Sequence, residues 1–468
     1  MTALSNIKTN NNQTPSISAK DFEQMNCIYF IGIGGIGMSA LARYFVAKQK
    51  IVAGYDKTPS EITSSLEKSG VDIHFEDDLS LVPDSFLDKR NTLVVYTPAI
   101  PDTHQELSYF NQKGFYVLKR SEVLGMITNQ TFCLAVAGTH GKTTTSSILA
   151  HLLYECDVEM SAFLGGISNN YDSNFIQKGT EVTVVEADEF DRSFLTLHPD
   201  FACVTSMDAD HLDIYGDKNT LEDSFKAFVN QIKPNGKLFV KYGLPLEGLT
   251  YGFEPEADFR ILNKRIENGV YVFDIKTPNK IISHIEFKLP GHHNLMNALV
   301  AFAMALTYGC DLNQLKKALK NYTGVKRRFS YVINSESLIF IDDYAHHPSE
   351  IAAVHQAVRE LYPHDEILAI FQPHLFSRTK DFADEFATEL SNFDSLILLD
   401  IYPARELPLE DVTSSWLLDK VTMDHKIVSS KADLIKHIKL HQKRVIITIG
   451  AGDIGVEVSK IKAALLEQ

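Results

Sequence analysis

Phe132–Thr145 reads FCLAVAGTHGKTTT: six apolar residues, a glycine turn, a lysine and three threonines that open a helical run. An apolar strand ending in glycine and leading straight into a helix builds an anion cradle, because the helix N-terminus presents unpaired N–H groups. Lys142 is placed to reach the β- and γ-phosphates of a nucleotide, and Thr143 to offer its hydroxyl to Mg²⁺. Gly138, Thr139, His140, Gly141 and Thr144 complete the candidate ATP cradle. The spacing is a shortened variant, since the first glycine of GxxxxGK[ST] would fall at Val136. Strand, loop and helix nevertheless follow in the required order.

Downstream, EVTVVEADEFD brings Glu186, Asp188, Glu189 and Asp191 to the end of a strand, where open α/β sheets bind ligands. Carboxylates there suit Mg²⁺, a hard ion that takes oxygen ligands and substrate phosphate. A second acidic stretch, DADHLD, holds Asp208, Asp210, His211 and Asp213 after the strand FACVTS. His211 is a candidate metal or phosphate contact, against the plainer reading of a structural histidine.

Upstream, Ile28–Gly37 reads IYFIGIGGIG and contains Gly32-x-Gly34-x-x-Gly37 between a strand and a helix. Such glycines permit a tight turn, close approach to a pyrophosphate, and helix–strand packing. Asp56 follows at the end of the next strand, where an acid meets a ribose hydroxyl. Taken alone the loop fits NAD, yet the same geometry serves any nucleoside diphosphate. Gly32, Gly34, Gly35, Gly37, Asp56, Thr97 and Pro98 are the candidate contacts.

Beyond about Val325 a third unit holds the apolar strands SLIFIDDY, EILAIFQ, SLILLDIY and RVIITIGAG, interleaved with helical stretches. Three α/β units in 468 residues agree with domains of about 150 each. The expected division is a polar tail over 1–24, a Rossmann-like unit over 25–125, a central P-loop unit over 126–325 and a second Rossmann-like unit over 326–468. SEVLGMITNQ reads as the connector between the first two.

Composition narrows the function classes. A net charge of −15 argues against a nucleic-acid partner, which needs a basic surface. Five scattered cysteines form no CxxC or Cys/His pattern, so neither a disulfide framework nor a zinc site is indicated. The first residues lack the apolar core of a signal peptide, and no apolar run approaches the ~20 residues that span a bilayer. A cytoplasmic chain with no membrane partner is the expectation.

FIGIGGIGMSALA, AGTHGKTTT, EADEFD, DADHLDIYG, PGHHNLMNALVA, KRRF, DDYAHHPSEI, FQPHLFSRT and IGAGDIG, in that order, resemble the Mur ligase superfamily from Ile28 nearly to the C-terminus. Within it the chain is most similar to the branch joining L-alanine to UDP-N-acetylmuramate. The D-glutamate- and diaminopimelate-adding branches lack the HHP of DDYAHHP, and the murein-tripeptide branch shares that box but differs at the loop IGIGGIGM. The resemblance implies ATP, UDP-N-acetylmuramate and L-alanine as substrates and Mg²⁺ as cofactor, or Mn²⁺ in its place. It implies a peptidoglycan-precursor ligase, monomeric or homodimeric, working through an acyl phosphate. It also implies site residues: Glu186, Thr143 and His211 for metals, Asn294 and Asn297 for adenine, and Arg328 and Asp343 for ATP. Lys142, His211, His347 and Arg378 would be catalytic, with Arg378 receiving a carboxylate or the acyl phosphate. His346 is expected to be partly structural, and Lys226 to play no part. Relatives carry an arginine where this chain has Leu375, and Arg405 is a candidate to take over that charge. The alternatives are a murein-tripeptide ligase of the same superfamily, a dehydrogenase on the first glycine loop alone, and a regulatory P-loop ATPase on the second.

Overall fold

The computed structural model describes residues 17–208, 218–267, 269–404 and 406–467. They form three sheets in chain order. The first has five parallel strands, in the spatial order Asp72–His74, Ile51–Tyr55, Cys27–Ile31, Thr92–Tyr96 and Tyr116–Lys119. Its middle strand, CIYFI, is buried throughout, as a strand covered on both faces requires. Tyr29 lies opposite Ala53 and Val94, so the register places the Gly32 turn at the carboxyl edge.

The second sheet has ten strands centred on Phe132–Ala137, with Val182–Ala187 on one side and Phe201–Val204 on the other, all parallel. Two helices dominate its core. Lys142–Glu155 is buried from Thr143 to Leu153, and His292–Tyr308 carries the buried run Leu299–Ala305. The third sheet runs Ser330–Asn334, Ile339–Asp343, Val445–Ile449, Ile367–Phe371, Ser395–Leu399 and Lys426–Ser429, with only the first strand antiparallel.

Two features depart from the sequence reading. Phe259–Glu267, Val270–Lys276 and Ile281–Phe287 form an antiparallel meander at one edge of the central sheet. Burial alternates along the first half of Phe259–Glu267, as befits a strand with one face on the core, whereas Val270–Lys276 between its two neighbours is mostly buried; the three extend a sheet expected from α/β alternation alone. The supposed connector SEVLGMITNQ contributes most of a helix, Arg120–Thr128, whose Val123, Leu124 and Ile127 are buried. No helix among the described residues is long and apolar enough to cross a membrane.

Candidate active site

The Gly138 loop lies where the parallel strands of the central sheet end. Gly138 and Gly141 have φ of +132° and +82°, which L side chains seldom adopt. A Cβ at Gly138 would sit 2.1 Å from Thr205 Oγ1, and one at Gly141 2.6 Å from Asn297 Oδ1. The neighbouring strand end holds the loop from outside. Ser206 Oγ accepts from His140 N at 2.8 Å and pairs with Thr139 Oγ1 at 2.9 Å.

Lys142 Nζ donates to Gly138 O at 2.7 Å and meets both oxygens of the fully buried Glu189 carboxylate at 2.9 and 2.8 Å. Burial alone would push the ammonium pKa down. Glu189, Asp188 and Glu186 outweigh it and hold the group above its ordinary value. The lysine is therefore a fixed positive charge under the loop.

Glu186 accepts from Gly165 N at 2.6 Å, Ser146 Oγ at 3.2 Å and Thr143 Oγ1 at 3.2 Å. Burial pushes its carboxyl pKa up, the condition under which a bound cation stabilises the charged form most. Thr143 and Glu186 together are a hard-oxygen pair that fits Mg²⁺, with phosphate and water supplying the remaining ligands.

Two cavities meet at this pair. The first, about 270 Å³, is lined by His140, Gly141, Thr143 and Thr144 of the loop, Asn294 and Asn297 of the long helix, and Arg328 and Asp343 from the third unit. Asn294 Nδ2 donates to Pro290 O at 2.7 Å, which anchors the helix start. Asp343 accepts from Phe329 N and Ala345 N, both at 2.7 Å, and burial pushes its carboxyl up to about 6. His293, Lys241, Tyr251, Ser349 and Glu350 also line this cavity and were not singled out in the sequence. The second cavity, about 260 Å³, brings Gly35, Gly37, Thr97 and Pro98 of the first unit against Gly165, Glu186 and Asp188 of the central one.

Gly32, Gly34 and Asp56 do not line that second cavity. Gly32 N bonds Tyr55 O at 2.8 Å, and Asp56 accepts from Gly34 N at 2.7 Å and Thr58 N at 3.2 Å, so the acid shapes the loop. Arg120 does line it, with Nη1 2.8 Å from where a Cβ on Gly37 would stand and Nη2 3.8 Å from Asp188. The basic pair Lys119-Arg120 at a strand end is the sequence signal for it.

His347 caps the helix Pro348–Leu361, its ring 5.1 Å from that of His140. His346 Nδ1 lies 3.0 Å from Tyr344 O, and its ring is 6.1 Å from His374. Arg378 is buried beside His374 at 3.4 Å, one turn after Leu375, whose φ of +72° marks a strained backbone. Lys226 is half-exposed and pairs with Asp223, lining neither cavity. His211, Asp210, Asp213 and Arg405 lie outside the described residues, as does the side chain of Asp191.

The chain matches three models of one family: "Mur ligase family, catalytic domain" over 27–131, "Mur ligase middle domain" over 136–305 and "Mur ligase, glutamate ligase domain" over 327–452. It is 56% identical over 450 residues to a UDP-N-acetylmuramate--L-alanine ligase of Christiangramia forsetii, covering 96% of this chain and all of that one. Identity to the enzyme of that name from Flavobacterium psychrophilum is 59% over 448 residues, with the same coverage. Among solved structures, the UDP-N-acetylmuramate-alanine ligase of Thermotoga maritima superposes with a TM-score of 0.80 at 26% identity, covering 94% of this chain and 99% of that one. A murein peptide ligase of Psychrobacter arcticus has a TM-score of 0.69 at 23% identity over 94% and 98%, a likeness of fold.

Proposed function

The chain belongs to the Mur ligase family, and from that premise we propose that it joins L-alanine to the lactyl carboxylate of UDP-N-acetylmuramate with cleavage of ATP to ADP and phosphate. The product is UDP-N-acetylmuramoyl-L-alanine, a peptidoglycan precursor made in the cytoplasm. The observation that carries the reading is the Thr143–Glu186 contact. It divides a cavity on the phosphate loop from one on the first glycine loop, so ligands in the two face each other across a single pair of side chains.

In this reading the first cavity takes ATP. Asn294 and Asn297 meet the adenine end, Arg328 and Asp343 close over it, and the loop amides and Lys142 hold the phosphates. The second cavity takes the nucleotide sugar, with Gly35, Gly37, Thr97 and Pro98 at its wall and Arg120 added to the anion contacts. The lactyl carboxylate then attacks the γ-phosphorus, the β–γ oxygen bond breaks, and ADP leaves with the electron pair. The alanine amine adds to the acyl phosphate carbon, loses a proton, and expels inorganic phosphate.

Phosphoryl transfer of this kind is mostly positioning and charge neutralisation. Lys142 brings a positive charge already fixed by Glu189, so the cradle carries that charge before phosphate binds. Thr143 and Glu186 would hold Mg²⁺, which neutralises phosphate charge when bound. Arg378 supplies a planar guanidinium suited to a carboxylate, and His347 stands at the helix start beside the loop.

Mass analysis of the product tests the assignment. Incubation with ATP, UDP-N-acetylmuramate and an equimolar mixture of L-alanine and the murein tripeptide should add one alanyl residue. Preferential addition of the tripeptide would move the chain to the other branch of the family.

A further inference from the structure

We propose that Glu350 is a positioning residue that latches the third unit onto the phosphate loop by gripping His140. The observation is a carboxylate whose two oxygens serve different units. Oε2 accepts from His346 N at 2.9 Å and His347 N at 3.3 Å, the reach-back of a glutamate in the first turn of its helix. Oε1 instead lies 3.1 Å from His140 Nδ1, across the boundary between units and 210 residues away in the chain.

Helix capping does not need that second contact. A capping glutamate does its work from the surface, whereas the Glu350 side chain is only 14% exposed and has Arg328 at 4.0 Å. Burial alone would push its carboxyl up, but His346, His140 and Arg328 outweigh it and hold the group well below the ordinary carboxylate range. The charge is thus kept where it costs most to keep, and facing the loop.

His140 is built to be gripped. Its N–H is fixed by Ser206 Oγ at 2.8 Å, so the backbone belongs to the central unit while the ring crosses to the third. There the ring meets Glu350 at Nδ1 and Ser349 Oγ at 3.4 Å from Nε2, and it stands 5.1 Å from His347. Asp208 approaches Nε2 from the central side at 3.7 Å. His140 directly precedes Gly141 and Lys142, so any separation of the two units breaks this contact next to the phosphate cradle. The latch therefore couples closure of the third unit to the loop's conformation. It touches no reacting atom, and it rests on the ligase reading only for its kinetic consequence.

A double-mutant cycle tests it, using His140→Phe, which keeps a ring and loses the hydrogen bond, and Glu350→Gln. Each single variant is expected to lower kcat by about tenfold or more, and the double variant no further than the worse single, as for two halves of one contact. His140→Asn, whose side-chain amide can take the place of Nδ1–H, is expected to recover most of the loss. Thermal midpoints separate the latch from helix capping: glutamine keeps the cap, so capping alone predicts an unchanged midpoint and retained kcat for Glu350→Gln and a lower midpoint only for Glu350→Ala. Losses that multiply, or a kcat within about twofold of wild type for Glu350→Gln, overturn the latch.

A second measurement does not depend on turnover. The radius of gyration in solution with a non-hydrolysable ATP analogue and UDP-N-acetylmuramate should fall for the wild type and fall less for both single variants. Equal compaction in all three overturns the latch. Wild-type protein that compacts but releases no phosphate would instead overturn the ligase reading and leave the latch standing.

Discussion

Lys142 and Glu189 show how a charge is installed before its ligand arrives. The buried carboxylate keeps the ammonium charged and aimed, with Gly138 O as the third point of fixation. Lys142→Ala should reduce phosphate release by at least ~10²–10³-fold. It also deprives buried Glu189 of its counter-charge, at a cost of roughly 3–5 kcal/mol in stability. Adding Glu189→Gln to the same chain should restore most of that stability and none of the turnover. Phosphate release within a few-fold of wild type in either variant would contradict the role given to Lys142. His293 supplies a pH signature. Burial, opposed by Glu350 and assisted by Arg328 and His292, pushes its pKa from 6.5 down to about 4. Well above pH 6.5 the ring is neutral in both folded and unfolded chains and contributes nothing. Between pH 6.5 and 4 the unfolded chain takes a proton that the folded one refuses, so stability falls by on the order of 1–3 kcal/mol. Urea midpoints at pH 7.5 and 5 should therefore differ less for His293→Gln than for wild type. Loops and strand ends made most of the candidate site legible at this scale, because Gly138–Thr144 and Glu186 point to their chemistry by residue type and order. Glu350 and Arg120 were not legible as site residues. Their roles come from partners 210 and 83 positions away, His140 and Gly37, which no local pattern reports.

Helices and strands were legible where one period ran uninterrupted. The strand–glycine–helix transitions at Gly32 and Gly138 stood out because the apolar run, the turn and the helical spacing fall in immediate succession. The antiparallel meander over 259–287 was missed because its short alternating strands compete with the stronger α/β rhythm on either side. Asn268-Gly269, with strands on both flanks, is the turn signal that could have revealed it. The two glycine loops also differ in how they tolerate a methyl group. At Gly141, φ of +82° and a wall at Asn297 Oδ1 leave an alanine nowhere to go, so Gly141→Ala should raise the KM for ATP about tenfold or more. At Gly37 the obstacle is the far end of the Arg120 side chain, which can swing aside. Gly37→Ala should accordingly leave the unfolding free energy within about 0.5 kcal/mol of wild type while raising the KM for UDP-N-acetylmuramate. A rise in the ATP KM instead would misplace the two nucleotides.

At the level of the whole molecule, three sheets each present the carboxyl ends of their parallel strands to the shared cavities. The central unit supplies the phosphate loop and Glu186, and the first and third units bring Thr97 and Arg328 to opposite sides of it. In the reaction proposed above, such an arrangement would hold the three substrates on separate bodies until closure, and closure would exclude water from a hydrolysable acyl phosphate. The resemblance pointed to this division of labour, but the contacts that join the bodies are visible only in three dimensions. The central claim is that both glycine loops serve one reaction, and omission of single substrates from a phosphate-release assay tests it most directly. Release should require ATP, UDP-N-acetylmuramate and L-alanine together, with one alanyl product formed per phosphate. Steady release from ATP alone, or release unaffected by leaving out the nucleotide sugar, would contradict it.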